Sequence, residues 1–227
     1  MIAVVIPTLG DSDALARLLA DLPSDIELVV VTGAEDPALE RLLAGRAGAR
    51  VLRTEAGRGR QMNAGAAAAS ADWLLFLHAD SRLPSGWHAA IAGTDPAVEG
   101  GWFRFGLDDT AWQARVIEWL VAWRVRTLQL PYGDQGLFVR RDLFARLGGF
   151  REWPLMEDVE FVRRLTAAAL ITEVPLTLLT SSRRWRQDGW LHRSARNLAL
   201  VSLYFAGVAP ERLARWYGGE GEVESRR

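Results

Sequence analysis

The chain of 227 residues carries a formal net charge of −1, and 49% of its residues are hydrophobic, which suits one large domain or a domain with an appended lobe and excludes a disordered chain. So small a net charge gives no electrostatic case for nucleic-acid binding. Cys is absent and every basic residue is Arg, which rules out disulfides, thiolate catalysis, Cys-based zinc sites and the lysine mechanisms of Schiff-base or Walker type.

The opening MIAVVIPTLG has no basic n-region and no small-residue cleavage site, so it reads as a first core strand and not as a leader. Ile2–Ile6 is that strand, closed by Pro7. Asp11 or Ser12 then caps a helix with Leu15, Leu18, Leu19 and Leu22 at helical spacing. Ile26–Val31 is a second strand, Pro37–Ala44 a helix, Arg50–Arg53 a third strand, Gln61–Ser70 an Ala-rich helix and Trp73–Leu77 a fourth strand. Strand and helix alternate through about residue 93, which implies a parallel, doubly wound sheet with helices on both faces.

The pattern then changes. Gly100–Phe105 reads as a strand, Thr110–Leu128 as a long helix, and Tyr132–Val139 as a loop leading into a strand. Helices are expected at Asp142–Leu147, Met156–Ala169, Ser194–Ala206 and Pro210–Tyr217, with an extended segment at Thr172–Leu179 broken by Pro175. Residues 94–217 extend the same sheet, and residues 218–227 form a polar tail. No run approaches the ~20 apolar residues that span a bilayer, so the expected compartment is the cytoplasm.

The segment GRGRQMNAGAAAASADWLLFLHAD, Gly57 to Asp80, carries the most chemistry. Its Gly/Arg turn resembles part of GxGxxG, but Met62 stands in place of the third Gly and the turn follows the third strand, so the dinucleotide reading fails. Glycines that admit close backbone approach, with Arg60, Gln61 and Asn63 at a helix start, suit a phosphate; a solvated basic turn is the alternative. Strand periodicity sends His78 and Asp80 to one side, and an Asp there suits Mg²⁺ or Mn²⁺ bound to a diphosphate. His78 is a second ligand, a base contact or a packed histidine.

Four other stretches stand out. Pro7, Thr8 and Asp11 follow the first strand, where a nucleobase is commonly received, although Asp11 also serves as a helix cap. Gly133, Asp134 and Gln135 form either a turn or a ligand loop. Glu157-Asp158 begins a helix, where acids favour the dipole and where one of them also makes a general base. Arg184-Trp185 places a guanidinium beside an indole, a pairing suited to a leaving diphosphate.

With GRxRQMNAGA, LLFLHAD, PYGDQGLFVRR and PLMEDVEF in this order, the chain from Ile2 to Tyr217 resembles the family 2 glycosyltransferases of the GT-A fold. Within them it looks most like a small bacterial selenodomain-associated transferase group. The resemblance implies an α/β, Rossmann-like, mostly parallel sheet flanked by helices, with a mixed acceptor-side extension. Residues 1–93 would form the nucleotide-binding half and 94–217 the acceptor and catalytic half of one domain. It implies a nucleobase loop at Pro7, Thr8 and Asp11, and nucleotide contacts at Gly57, Arg60, Asn63 and His78. Asp80 would be the metal ligand, at the family's DxD position, for Mg²⁺ or Mn²⁺. Asp134 and Gln135 would hold sugar and acceptor, Asp158 with Glu157 would supply the catalytic base, and Arg184 and Trp185 would close on the diphosphate. The partners implied are a nucleotide-diphosphate sugar and a hydroxyl acceptor. The chain departs from the family pattern at Thr32, His78 and Ser181, where an acid, an acid and Gln are usual.

Two functional alternatives come with this reading: a non-catalytic nucleotide-sugar or glycan-binding module, and a sugar-1-phosphate nucleotidyltransferase, which lacks its basic Gly-rich loop and Lys here. The helix with Trp112, Trp119 and Trp123 among Arg115, Arg124 and Arg126 meets a membrane interface, the sheet, or a second copy. A lipid-linked acceptor would place the protein at the inner face of the membrane.

Overall fold

An unbroken apolar run makes a strand that must be covered on both faces. In the computed structural model, which describes residues 1–10 and 12–218, strand β1 (Ile2–Thr8) is such a strand, with Ile2 to Ile6 almost wholly buried. Asp11 and the polar tail after Gly218 lie outside the described residues.

The chain continues through α1 (Ser12–Ala20), β2 (Glu27–Thr32), α2 (Pro37–Leu43), β3 (Ala49–Arg53), α3 (Arg58–Ala68), β4 (Trp73–Phe76), β5 (Ser81–Arg82) and α4 (Trp87–Ala92). The second half runs β6 (Gly100–Leu107), α5 (Trp112–Leu128), β7 (Phe138–Arg140), α6 (Arg141–Arg146), α7 (Glu157–Ala168), β8 (Ile171–Thr180), α8 (Arg183–Asp188), α9 (Trp190–Phe205) and α10 (Pro210–Gly218).

One mixed sheet takes the order β3-β2-β1-β4-β7-β6-β8-β5. The first half is parallel, as the alternation of strands and helices implies. β7 enters antiparallel between β4 and β6, β8 then runs parallel to β6, and β5 closes the far edge antiparallel. Pro175 does not break β8: the register passes from Val174 opposite Phe103 to Thr177 opposite Arg104, so Pro175 and Leu176 sit in a bulge where no ladder donor is needed. The short elements β5, α4 and α8 are absent from the sequence reading, and α3 starts three residues before the expected Gln61.

Period-two alternation divides the core. Val4 and Ile6 face Leu15, Leu18 and Leu39, whereas Ala3 and Val5 face Met62, Ala66 and Phe161. The Ala-rich composition of α3 follows from its place against β1. A Cβ on Gly65 would fall 2.4 Å from Val5 Cγ1, so only a residue without a side chain lets the helix axis come this close.

Gly65→Ala gains about 1 kcal/mol of helix propensity but overpacks Val5, which costs about 1–3 kcal/mol. Urea denaturation is expected to show a net loss of up to about 2 kcal/mol; a stabilised variant would show that α3 is free to lift from the sheet.

Candidate active site

β2 and β3 extend the sheet to one side of β1, while β4 lies on the other. The carboxyl ends of β1 and β4 therefore flank a topological switch point, where α/β sheets open a crevice. One cavity there is lined by Pro7, Arg58, His78, Gly133 and Asp158 over an apolar floor that includes Met62, Phe76 and Leu137. A groove of about 230 Å³ continues from it past Tyr132, Leu155, Glu157 and Asn197. A larger cleft, about 520 Å³, lies at the opposite end of β4 among Asp72, Glu99, Arg140 and Asp142. Its acids are held in surface ion pairs, Asp72 with the Met1 amino group and Glu99 and Asp142 with Arg146, so it offers no convergent chemistry.

The acidic pair is set by an unusual backbone. Met156 adopts a left-handed conformation (φ 68°) directly before α7, a cost of about 1 kcal/mol or more for a residue with a side chain. Glu157 and Asp158 thereby fall in the first turn of the helix, where its dipole favours negative charge. Arg58, the first residue of α3, bridges them: Nε donates to Glu157 Oε1 at 2.5 Å and Nη2 lies 2.9 Å from Asp158 Oδ2. Asp158 also accepts the N–H groups of Gly133 (2.9 Å) and Val159 (2.8 Å).

Burial opposes ionisation of both acids, with different outcomes. At Asp158 the charge of Arg58 and the two backbone donors prevail and hold the carboxyl below its usual range. At Glu157, only 3% exposed, burial prevails over Arg58 and raises the pKa. Burial also works against the Arg58 charge, but the two carboxylates outweigh it and the guanidinium stays protonated. His78 Nε2 lies 3.4 Å from Arg58 Nη1. Burial first, and then the charges of Arg58 and Arg184 against that of Asp158, push the imidazole down to about 3, so it is neutral.

A second network holds the 3₁₀ turn Gly133–Gln135. Gln135 Oε1 accepts from Tyr132 N (3.2 Å) and Arg124 Nη2 (3.1 Å), its Nε2 donates to Phe103 O (3.3 Å), and the Arg124 guanidinium covers the Tyr132 ring at 3.4 Å. Within this turn Asp134 has a buried Oδ1 that finds no hydrogen-bond partner among the described residues. Burial lifts its pKa to about 6, against Arg124 and with Asp158.

The other expected site residues divide. Thr8 Oγ1 caps Gly10 N, and its carbonyl accepts from Gln61 Nε2. Gly57 caps α3 in a conformation that favours glycine (φ 149°). Arg60 points away from the cavity to Glu55 and Glu152, and Asn63 clasps the Phe150 backbone through both its amide atoms. Gln135 is buried as a brace, and Trp185 packs with Phe105, Leu107 and Ala114, while Arg184 is exposed. Thr32 turns its hydroxyl onto Ala34, closing a local turn where the family pattern has an acid. Arg58, Arg124 and Tyr132 were not singled out as site residues by the sequence. Two residues along a helix rotate a side chain by about 200°, so Arg58 and Arg60 had to face opposite ways, and only the start of α3 decides which faces in.

Asp80 lies in a turn beyond β4 and borders a cleft of about 330 Å³ with Arg17, Asp108, Thr177 and Ser181. Among the described residues, no group of three His, Asp or Glu side chains could hold a metal. A half-buried carboxylate nevertheless fits a hard divalent cation that takes its remaining ligands from phosphate and water. His78, set against a guanidinium, does not fit as a second ligand.

The model of the Glycosyl transferase family 2 matches residues 3–139. Comparison with curated protein sequences gives no match. Among solved structures the chain is similar to the mannosyltransferase PcManGT from Pyrobaculum calidifontis in complex with GDP-Man and Mn²⁺, with a TM-score of 0.65 and 18% identity over 92% of this chain and 66% of that one. It is also similar to S. aureus TarS 1-349 in complex with UDP, with a TM-score of 0.62 and 18% identity over 79% of this chain and 60% of that one. TarS 1-349 without the nucleotide gives a TM-score of 0.62 at 17% identity over 93% and 68% of the two chains. The chain thus spans about two thirds of the length of the solved chains it matches, and it shares their GT-A fold.

The raised acid in the Gly133–Gln135 turn sets a pH dependence. The folded protein keeps the Asp134 proton up to about pH 6, whereas the unfolded chain loses it near the ordinary carboxyl value. The associated stability is complete below that ordinary value and is lost as pH rises through about 6. Asp134→Asn is therefore expected to raise the urea midpoint relative to wild type at pH 8 and to narrow that gain at pH 4.5. An equal effect at both pH values would count against a neutral, buried Asp134.

Proposed function

Because the chain belongs to glycosyl transferase family 2, we propose that it moves a sugar from a nucleotide-diphosphate donor to a hydroxyl acceptor with inversion. The observation that carries this reading is Asp158, an ionised carboxylate held at the switch-point cavity by Arg58 and the Gly133 N–H. Residues 1–93 supply the donor side and residues 94–217 the acceptor side. The selenodomain-associated group is the subfamily its motifs fit best.

In this mechanism Asp158 takes the proton of the acceptor hydroxyl as that oxygen attacks the anomeric carbon from the face opposite the diphosphate. The bond from that carbon to the diphosphate oxygen breaks, and its electron pair leaves with the diphosphate. Arg58 moves its charge from Asp158 toward the incoming phosphates, which frees the base when the donor is in place. Arg184, exposed and close enough to lower the His78 pKa, supplies a second cation to the leaving group. Mg²⁺ or Mn²⁺ at Asp80 would supply neutralisation of the diphosphate charge when bound. The GDP-Man and the UDP held in the similar structures make GDP- and UDP-linked sugars the first donors to test.

A binding module without transfer is the second reading, favoured by Thr32 and His78 standing where acids are usual. Asp158→Asn separates the two. It is expected to lower turnover about 10²–10⁴-fold with nucleotide-diphosphate affinity nearly unchanged. Donor turnover assayed by nucleotide release checks this. Wild-type turnover in the variant would remove Asp158 as the base, and no turnover by the wild-type chain with any donor would favour the binder.

A further inference from the structure

Helix α5 has two apolar faces, and only one is covered. Ala114 and Val125 are buried, and Ile117 and Val121 pack with Phe105, Leu107 and Trp190. The other face presents Trp112, Val116, Trp119, Leu120 and Trp123 at positions i, i+4, i+7, i+8 and i+11, and its three indoles are 69%, 65% and 55% exposed. Leu191, beside Trp190 at the start of α9, is also exposed. Soluble surfaces rarely leave so large a contiguous aromatic patch uncovered.

We propose that this face docks on an anionic lipid bilayer, with α5 lying in the plane of the interface. No helix among the described residues is long and apolar enough to cross a membrane, so the contact is peripheral. Indoles are the side chains that favour the headgroup boundary, and Arg126 stands exposed on the same helix, where anionic headgroups complement it; Arg115, also exposed, is already paired with Glu118.

Charge also decides against a second copy of the chain as the occupant. Glu118 is the helix's one acid, and it is already taken by Arg115 (2.8 Å) and the Leu107 N–H (2.8 Å). A twofold contact through this face would bring two copies of this Arg-bearing helix together with no unpaired acid on either helix to oppose Arg126. Through Arg124, the same helix braces Gln135 and Tyr132 beside the cavity, so docking would hold that loop near the headgroups. The proposal deepens the transferase reading by giving the acceptor a lipid surface, but the docking itself does not depend on transfer.

Vesicle flotation tests it with the full chain. Co-flotation is expected with phosphatidylcholine vesicles containing phosphatidylglycerol, falling as salt rises, and only weakly with phosphatidylcholine alone. The triple variant Trp112→Ala, Trp119→Ala, Trp123→Ala should lose at least about tenfold in partitioning with an unchanged circular dichroism spectrum. If that variant misfolds, Trp119→Ala alone should show an intermediate loss. Arg126→Gln should lessen the salt dependence. Asp158→Asn should float as wild type does, so a failed transfer assay and a failed flotation remain separate results. Absence of co-flotation, or partitioning that the Trp variants leave unchanged, would overturn the proposal. So would a concentration-dependent dimer in lipid-free ultracentrifugation that the Trp variants abolish.

Discussion

Two adjacent carboxylates at the start of a helix repel each other, and Arg58 is the charge that lets them stand together. It reaches across 99 residues of sequence to join the start of α3 to the start of α7, and so links the parallel half of the sheet to its mixed extension. A buried ion pair contributes little net stability when intact, yet losing one partner leaves an uncompensated charge. Glu157, nearly without solvent, is the group most exposed to that loss. The clamp is possible only because α3 sits hard on β1 at Gly65 and because Met156 accepts a left-handed backbone immediately before the acids.

The same clamp accounts for the electrostatics of the cavity. Arg58 depresses Asp158 and adds to the burial that keeps His78 neutral, while at Asp134 burial prevails over Arg124 and Arg58 and lifts the pKa to about 6. Asp158 and Asp134, close enough to feel each other's charge, thus have pKa values pushed apart, one below and one above the ordinary carboxyl range, a separation typical of sites with distinct acid and base roles. In the proposed mechanism this arrangement keeps Asp158 masked until another anion competes for the guanidinium. A diphosphate is such an anion, which ties donor arrival to exposure of Asp158 in the proposed mechanism.

Much of the fold was legible because short apolar runs separated by helical spacing admit few arrangements. β1 to β4 and their parallel direction came from that pattern alone, though not their order in the sheet, and Pro175 marked an irregularity where the bulge stands. The acidic pair and the switch-point loops were legible from motif order. What was not legible depended on rotation. Arg58 and Arg60 differ only in which way the first turn of α3 faces, and α5 carries apolar residues on two faces, so its pattern could not say which one the sheet covers. Gln135 and Asn63 look like ligand groups in sequence, but each satisfies buried backbone, a role set by tertiary neighbours.

The most direct measurement is a double-mutant cycle on stability with Arg58→Met, Glu157→Gln and the pair, followed by urea denaturation at neutral pH. The clamp requires that Arg58→Met alone costs about 3 kcal/mol, that Glu157→Gln restores much of the loss, and that the coupling is at least about 2 kcal/mol. Additivity within about 0.5 kcal/mol would mean that the two residues act independently, and the charge balance placed at the centre of this site would not exist.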